Sequence, residues 1–120
     1  MKEKNVPVDK HLYRRGFGPP DKRYTNPDGS ATSRAFKLRE KDNGNLSVDV
    51  KEMISKEDAI RDVNRFVLFE LSVASVEKLE LSVLHDPVEE NPAHACIWGL
   101  DIDDDIKPGL LARASKRVFF

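Results

Sequence analysis

The segment Asn91–Trp98 carries the side chains best suited to chemistry in this sequence. In a strand, alternation would place His94, Cys96 and Trp98 on one face. An imidazole and a thiol on one face could serve as general base and nucleophile. However, residues two apart on a strand lie about 7 Å apart, which is too far for the direct hydrogen bond that such a pair requires. We therefore favour a structural role, in which His94 bonds a loop backbone while Cys96 and Trp98 pack.

A second histidine, His85, stands directly before Asp86 and Pro87. If the strands that hold His85 and His94 are neighbours, two imidazoles and a carboxylate could bind a catalytic metal. The same three residues are equally typical of a turn in which Asp86 caps its own loop. The acidic run 101–105 resembles the start of a calcium loop, but the sixth position is Ile106 where such a loop needs glycine, and no glutamate stands at the twelfth. The run instead indicates the start of a helix. The sequence therefore predicts neither a metal nor a cofactor.

Positive charge is concentrated in the first part of the chain. Residues 1–45 contain 11 Lys and Arg against 6 Asp and Glu, whereas residues 46–120 contain 9 against 15. Cations interleaved with aromatic rings suit a phosphate backbone and stacked bases, although solvated strands show the same alternation. The cations are Arg14, Arg15, Lys22, Arg23, Arg34, Lys37, Arg39 and Lys41, and the aromatic residues are Tyr13, Phe17, Tyr24 and Phe36.

Length and composition set the limits of the fold. With 120 residues, 39% of them hydrophobic and 34% charged, the chain suits one compact domain. No apolar run approaches the roughly 20 residues that span a bilayer, and the first ten residues are charged, so we expect a cytoplasmic protein without a membrane partner. The single cysteine, Cys96, excludes an internal disulfide.

Hydrophobic periodicity predicts an α+β fold of four or five mostly antiparallel strands with two or three helices. Prolines and glycines in residues 1–33 predict an irregular, partly ordered N-terminal arm, and residues 34–120 are expected to form a single domain. The expected strands are 36–39 and 46–50, which would form a hairpin around Asn43-Gly44, and 65–73, 82–86 and 93–100. The expected helices are one capped by Ser55, a helical turn between 75 and 81, and a helix over 106–118 with Pro108 in its first turn.

Several of these segments resemble a group of small bacterial proteins without an assigned function. The resemblance rests on a Leu-Tyr-Arg-Arg stretch, an Ala-Phe-Lys ending, a Leu-Ser-Val-Asp strand, and Asp-Pro followed by Asn-Pro-Ala-His-Ala. In this sequence they are Leu12–Arg15, Ser33–Lys37, Leu46–Asp49, Asp86-Pro87 and Asn91–Ala95. Arg34 departs from the pattern, in which a small residue is usual. The resemblance implies a self-standing bacterial module and supplies no activity.

The leading functional hypothesis is a non-catalytic module that binds another protein through the arm and the surface around His94. The expected binding residues are Tyr13, Arg14, Arg15, Ser33, Lys37, Asn91 and His94.

Two alternatives stay open. One is a small enzyme acting on a nucleotide or phosphorylated substrate, with Arg14, His85 and His94 as candidate catalytic groups. Along this sequence, Arg14, Ser33 and Glu89 or Glu90 also occur in the same order as the Arg, Ser and Glu set of ADP-ribosyl-transferring folds. The other alternative is an accessory protein that binds nucleic acid.

Overall fold

A computed structural model describes residues 4–120 of the chain. Within this range the chain forms seven strands: β1 (Lys4–Asn5), β2 (His11–Phe17), β3 (Asn45–Val50), β4 (Phe66–Ser72), β5 (Ser82–His85), β6 (His94–Trp98) and β7 (Lys116–Val118). They pair in one antiparallel sheet, in the order β1-β5-β6-β3-β2-β4-β7. The α-helices are α1 (Lys56–Ile60), α2 (Val73–Glu77) and α3 (Ile106–Ala114), and 3₁₀ helices cover Ser33–Phe36, Glu40–Asp42 and Lys51–Met53. The expected α+β class is confirmed, but the sheet has more strands than the predicted four or five.

The sheet buries apolar side chains on both faces. On one face, Leu12, Val48 and Phe69 belong to the main core, which α2 and α3 cover. On the other face, Tyr13 and Leu68 pack against α1 in a smaller cluster. This second face is only partly covered, because α1 is five residues long. Ser47 of β3 and His94 of β6 therefore remain accessible beside it.

The prediction of an irregular arm over residues 1–33 is wrong for His11–Phe17. These residues form β2, which pairs with β4 along its whole length and with β3 at its start. Leu12 is completely buried, so this strand belongs to the centre of the sheet rather than to an appended arm. Residues 18–32 contain turns and an isolated bridge, as predicted, and residues 1–3 of the predicted arm lie outside the described residues.

The predicted hairpin is also wrong. Asn43 and Gly44 do adopt positive φ angles of 51° and 81°, so the turn exists. It joins the 3₁₀ helix Glu40–Asp42 to β3, and β3 pairs with β2 and β6 instead of with residues 36–39. Phe36 and Leu38 are both buried because they pack into the main core from a segment that is not a strand.

The remaining elements largely follow the sequence. The Ser55 hydroxyl accepts a hydrogen bond from the Asp58 N–H at 3.1 Å and starts α1, as the capping spacing predicts. Strands β4, β5 and β6 lie where the patterns place them, and Pro108 lies in the first turn of α3. That helix ends at Ala114, earlier than expected, because the extended Ser115 leads into β7 at the sheet edge. Within residues 4–120, none of the helices has the length and apolar character that crossing a bilayer requires.

Candidate functional site

The strongest candidate site lies where β2 and β3 separate. Their pairing covers Leu12 with Val50 and Tyr13 with Asp49, whereas β2 stays paired with β4 as far as Phe17. Beyond Tyr13 the two strands diverge, and side chains occupy the gap where a continuous ladder would otherwise run. Two adjoining cavities open there.

The larger cavity, which we call the basic cavity, has a volume of about 810 Å³. Its lining holds seven cationic side chains and one carboxylate, that of Glu40. The cations are Arg14, Arg15, Arg23, Arg34, Lys37, Arg39 and Lys41. A cavity whose lining charges are nearly all positive has a positive electrostatic potential, which attracts and concentrates anions.

Some of these cations are already neutralised by nearby carboxylates. Arg23 contacts both carboxylate oxygens of Asp21, with a shortest distance of 2.6 Å, and this hydrogen bonding lowers the pKa of Asp21 to about 2. Lys37 lies 2.6 Å from an Asp105 oxygen. The contact of Arg39 with Asp42 is long, at 3.5 Å. A net positive charge therefore remains.

Arg34 and Lys41 supply the least compensated charges of the basic cavity. Both side chains are exposed, and neither has an ion pair within residues 4–120. They are therefore available to an incoming anion at little cost in broken contacts.

Arg14 is held firmly at the point where the strands part. Its Nε donates to the Ala35 carbonyl at 2.8 Å, and its Nη1 donates to the Ser47 carbonyl at 2.7 Å. Burial, reinforced by the neighbouring charge of Arg39, lowers the pKa of Arg14 to about 10. The guanidinium is still charged at neutral pH, and three of its five N–H donors are not used by these two bonds. It is therefore a fixed guanidinium with donors that an anion could use.

Aromatic rings form one wall of the basic cavity. Phe17 lies between Tyr24 and Phe66, with ring centroids 5.9 Å and 5.3 Å away. The Arg15 guanidinium lies 5.1 Å from the Phe66 centroid, and Arg23 lies 5.6 Å from that of Tyr24. Because 41% of Phe17 is exposed, a planar ligand can reach its ring.

The smaller cavity, of about 180 Å³, adjoins the first and shares Arg14, Arg15 and Ser47 with it. Its other lining residues are Tyr13, Val48, Asp49, Arg61, Asn91 and His94. Segments quoted for the bacterial resemblance, Leu12–Arg15, Leu46–Asp49 and Asn91–Ala95, thus meet here from separate parts of the chain.

Several polar groups of the smaller cavity are held by hydrogen bonds. Asp49 is buried, and the Asn91 side-chain amide donates to its carboxylate at 2.7 Å. Arg15 donates from Nη1 to the Ala59 carbonyl near the end of α1, at 3.1 Å. Burial and the adjacent Arg61 lower the pKa of Arg15, and burial raises that of Tyr13. These contacts fix the walls of the cavity.

His94 makes two contacts that define its tautomer. Its Nδ1 lies 2.8 Å from the backbone carbonyl of Asp86, which can only accept a hydrogen bond, so Nδ1 carries the proton. In the neutral ring Nε2 is then the acceptor, and it faces the Ser47 hydroxyl at 3.3 Å. The Asp86 carboxylate lies 3.6 Å from Nδ1 and accepts a hydrogen bond from Cys96 Sγ at 3.5 Å.

Potential metal ligands from Asp86, His94 and Cys96 lie within 4.8 Å of one another. The set differs from the one considered from sequence, since Cys96 replaces His85. His94 Nδ1 already donates to the Asp86 carbonyl, so binding a metal through this nitrogen would require the loss of both that hydrogen bond and its proton. This competing bond makes the cluster a poor fit for a metal.

The structure brings together five of the seven predicted binding residues around the smaller cavity: Tyr13, Arg14, Arg15, Asn91 and His94. Lys37 lines the basic cavity, whereas Ser33 lines neither. His85 lies outside both cavities, where its Nε2 bonds the Pro92 carbonyl at 2.8 Å and holds the loop. Of the three candidate catalytic groups of the enzyme alternative, Arg14 and His94 meet at Ser47, and His85 does not join them.

The ADP-ribosyl-transferring arrangement is not assembled. Ser33, Glu89 and Glu90 lie outside the linings of both cavities, so that only Arg14 of the proposed set reaches them. Chain order alone did not indicate that these side chains are held apart.

Sequence reasoning missed Ser47, Asp49, Arg61 and Phe66. A signal for the first two was present, because alternation in Leu46–Asp49 places both on the polar face of a strand. What was lacking was the register of β3 against β6, which pairs Asp49 with His94 and Ser47 with Cys96. Comparison of the chain with protein-family profiles, curated proteins and solved structures finds no match.

Proposed function

We propose that this chain binds a ligand bearing phosphate groups and nucleobases, either a nucleotide or a single-stranded nucleic acid, in the basic cavity. The observation that carries the proposal is the lining itself: seven cations against one carboxylate, beside an exposed aromatic ring. Nucleic acid is one of the alternatives to a protein partner that the sequence leaves open, and this lining favours it.

The charges suit phosphate in both number and position. Arg14 presents a fixed guanidinium, which matches the geometry of phosphate oxygens better than an ammonium group does. Arg34 and Lys41 are exposed and have no ion pair in the described part of the chain, so they can pair with phosphate without losing an internal contact. A neutral or cationic ligand would leave this repulsive cluster uncompensated.

The aromatic wall distinguishes a nucleotide from a bare phosphate. A base stacked on Phe17 would contribute about 1–3 kcal/mol without selecting its identity. The cavity volume of about 810 Å³ lies in the range of small-molecule sites and exceeds what inorganic phosphate needs.

Binding can be tested by fluorescence anisotropy with labelled 12-nucleotide RNA and DNA, a labelled adenine nucleotide, and a labelled polyglutamate peptide. We expect the affinity for the oligonucleotides to fall with salt, with a slope of about −0.7 per phosphate contact. The double variant Arg34→Ala/Lys41→Ala should make that slope less steep by about 1.4. The control variant Lys78→Ala/Arg113→Ala removes the same charge from exposed positions outside the cavities and should leave the slope unchanged.

The ligands separate the possible outcomes. Binding of the nucleotide alone would identify a small-molecule site, and binding of the oligonucleotides would identify a nucleic-acid module. Equal binding of polyglutamate would assign the cavity to acidic protein segments and overturn the proposal. Absence of binding to any nucleotide ligand, or equal effects of the two double variants, would also overturn it.

A further inference from the structure

The contacts of His94 have the geometry of a general base beside a nucleophile. Ser47 Oγ lies 3.3 Å from His94 Nε2, and Nδ1 is fixed by the Asp86 carbonyl at 2.8 Å. The tautomer that this carbonyl imposes directs the ring's lone pair at the serine hydroxyl. That is the orientation needed for His94 to accept the Ser47 proton.

A carboxylate lies close to the imidazole that would accept the serine proton. The Asp86 carboxylate lies 3.6 Å from Nδ1 and can stabilise the imidazolium electrostatically. Asp49, the sheet partner of His94, lines the same small cavity and accepts a 2.7 Å hydrogen bond from the Asn91 amide. Asp86 is thus placed to stabilise the state that follows proton transfer.

The reacting position is also accessible and lies next to positive charge. Ser47 is exposed and lines both cavities, while His94 is half-buried. Arg14 donates to the Ser47 carbonyl at 2.7 Å, and Arg15 and Arg61 line the same small cavity. Cations at this position would stabilise negative charge that develops on a phosphoryl group.

We propose that Ser47 and His94 form a catalytic pair that hydrolyses a phosphate ester of the ligand held in the basic cavity. The substrate class rests on the proposed function, whereas the activated serine does not. The pairing differs from the His94 and Cys96 pair considered from sequence, because the serine comes from the neighbouring strand.

The proposed reaction has two balanced steps. Ser47 Oγ forms a bond to phosphorus as its proton passes to His94 Nε2, and the ester P–O bond breaks with the leaving alcohol taking that proton. Water then attacks the phosphorus of the phosphoserine as His94 accepts a proton from it, the P–O bond to Ser47 breaks, and His94 returns that proton to Ser47 Oγ. The net change is ester plus water to alcohol plus phosphate.

An alkyl fluorophosphonate tests the serine without any knowledge of the natural substrate. Its P–F bond breaks as the bond between phosphorus and Ser47 Oγ forms, so that fluoride leaves and the serine proton passes through His94 to solvent. We expect one adduct on the intact chain by mass spectrometry and its assignment to Ser47 by peptide mapping. The variant Ser47→Ala should lose the adduct, and His94→Gln should label about 100-fold more slowly, at the lower end of a general base's contribution.

A matched control uses Ser82→Ala. Ser82 is an exposed serine on β5 whose sheet partner is Trp98, and it lines neither cavity, so this variant should label at the parent rate. Circular dichroism of each variant establishes that it is folded, and Ser47→Ala alters only an exposed side chain. Absence of an adduct on Ser47 in the folded parent chain would overturn the inference, as would an equal labelling rate in folded His94→Gln.

The labelling and binding experiments fail independently. If Ser47 is labelled but the chain binds no nucleotide, the inference that Ser47 is activated stands, and the inference that its substrate is a phosphate ester is rejected. Nucleotide binding without Ser47 labelling would retain the binding function and eliminate the catalytic pair.

Discussion

Arg14 and Ser47 are joined by a hydrogen bond that replaces the missing ladder between two strands. The Arg14 Nη1 donates to the Ser47 carbonyl at 2.7 Å, just beyond the point where β2 and β3 stop pairing. The same guanidinium reaches the Ala35 carbonyl at 2.8 Å. One side chain therefore closes the gap in the sheet and anchors the 3₁₀ helix that borders the basic cavity.

The first prediction follows from these bonds. Arg14→Met keeps a long side chain but leaves two carbonyls without their donors, and we expect it to lower the free energy of unfolding by about 2 kcal/mol or more. Arg34→Met removes a cation that has no ion pair in the described residues and should change stability by less than about 0.5 kcal/mol. Urea unfolding followed by circular dichroism measures both. Equal stability losses would show that the Arg14 bonds contribute nothing specific.

A second prediction concerns the central position of β2. Because Leu12 is completely buried in the main core, Leu12→Ala should cost about 2–5 kcal/mol. Val8→Ala, at a position that is 56% exposed four residues earlier, should have little effect. Hydrogen exchange should also show strong protection of the β2 amides. Rapid exchange there would instead support the irregular arm expected from sequence.

The sequence predicted elements whose signals are local. Strand β6 is a short, mainly apolar run bounded by Pro92 and Gly99, and α1 carries its capping serine directly before it, so each is visible without knowledge of its neighbours. Strand β2 was missed because Arg14, Arg15 and Gly16 interrupt its apolar pattern and prolines flank it. Its central place is decided by the two strands beside it, which lie far away in sequence.

The candidate site was predictable only in part for the same reason. The residue types of Arg14 and His94 marked them as candidates, but their meeting depends on β3 lying between β2 and β6. Ser47 carried no signal beyond the polar face of a strand. Only the register of β3 against β6, set by long-range packing, brings its hydroxyl to His94.

A third prediction compares two glycines. Gly44 has a φ of +81°, and a Cβ there would lie 2.6 Å from Trp98 Cζ3, so Gly44→Ala should destabilise the fold by about 1–3 kcal/mol. A Cβ at Gly109 in α3 would be 4.0 Å from its nearest neighbour, the Cβ of Ser33, so Gly109→Ala should stabilise by about 0.5–1 kcal/mol. Opposite shifts in melting temperature are expected. Since Trp98 is the only tryptophan in the chain, its fluorescence should also report the displacement at Gly44 directly.

A fourth prediction tests base stacking in the basic cavity. Phe17→Leu keeps an apolar side chain but removes the exposed ring, and we expect the affinity for single-stranded oligonucleotides to fall about 5-fold or more. Phe119→Leu is the matched control, because Phe119 is 69% exposed and lines neither cavity. If both variants bind as tightly as the parent chain, the ligand does not stack on Phe17 and the cations alone hold it.

The last prediction concerns the ionisation of Tyr13. Burial, with a smaller effect from nearby carboxylates, raises the pKa of this phenol above its ordinary value of 10.0, although Lys51 acts in the opposite direction. Absorbance at the phenolate band should therefore contain a component that titrates above pH 10 and disappears in Tyr13→Phe. Because the folded pKa is the higher one, the phenol's contribution to stability is fully present below pH 10 and is lost as the pH rises through the folded pKa. The stability of Tyr13→Phe should consequently fall less steeply than that of the parent chain above pH 10. Parallel stability curves for the two proteins would show that Tyr13 ionises in the folded state as it does in the unfolded chain.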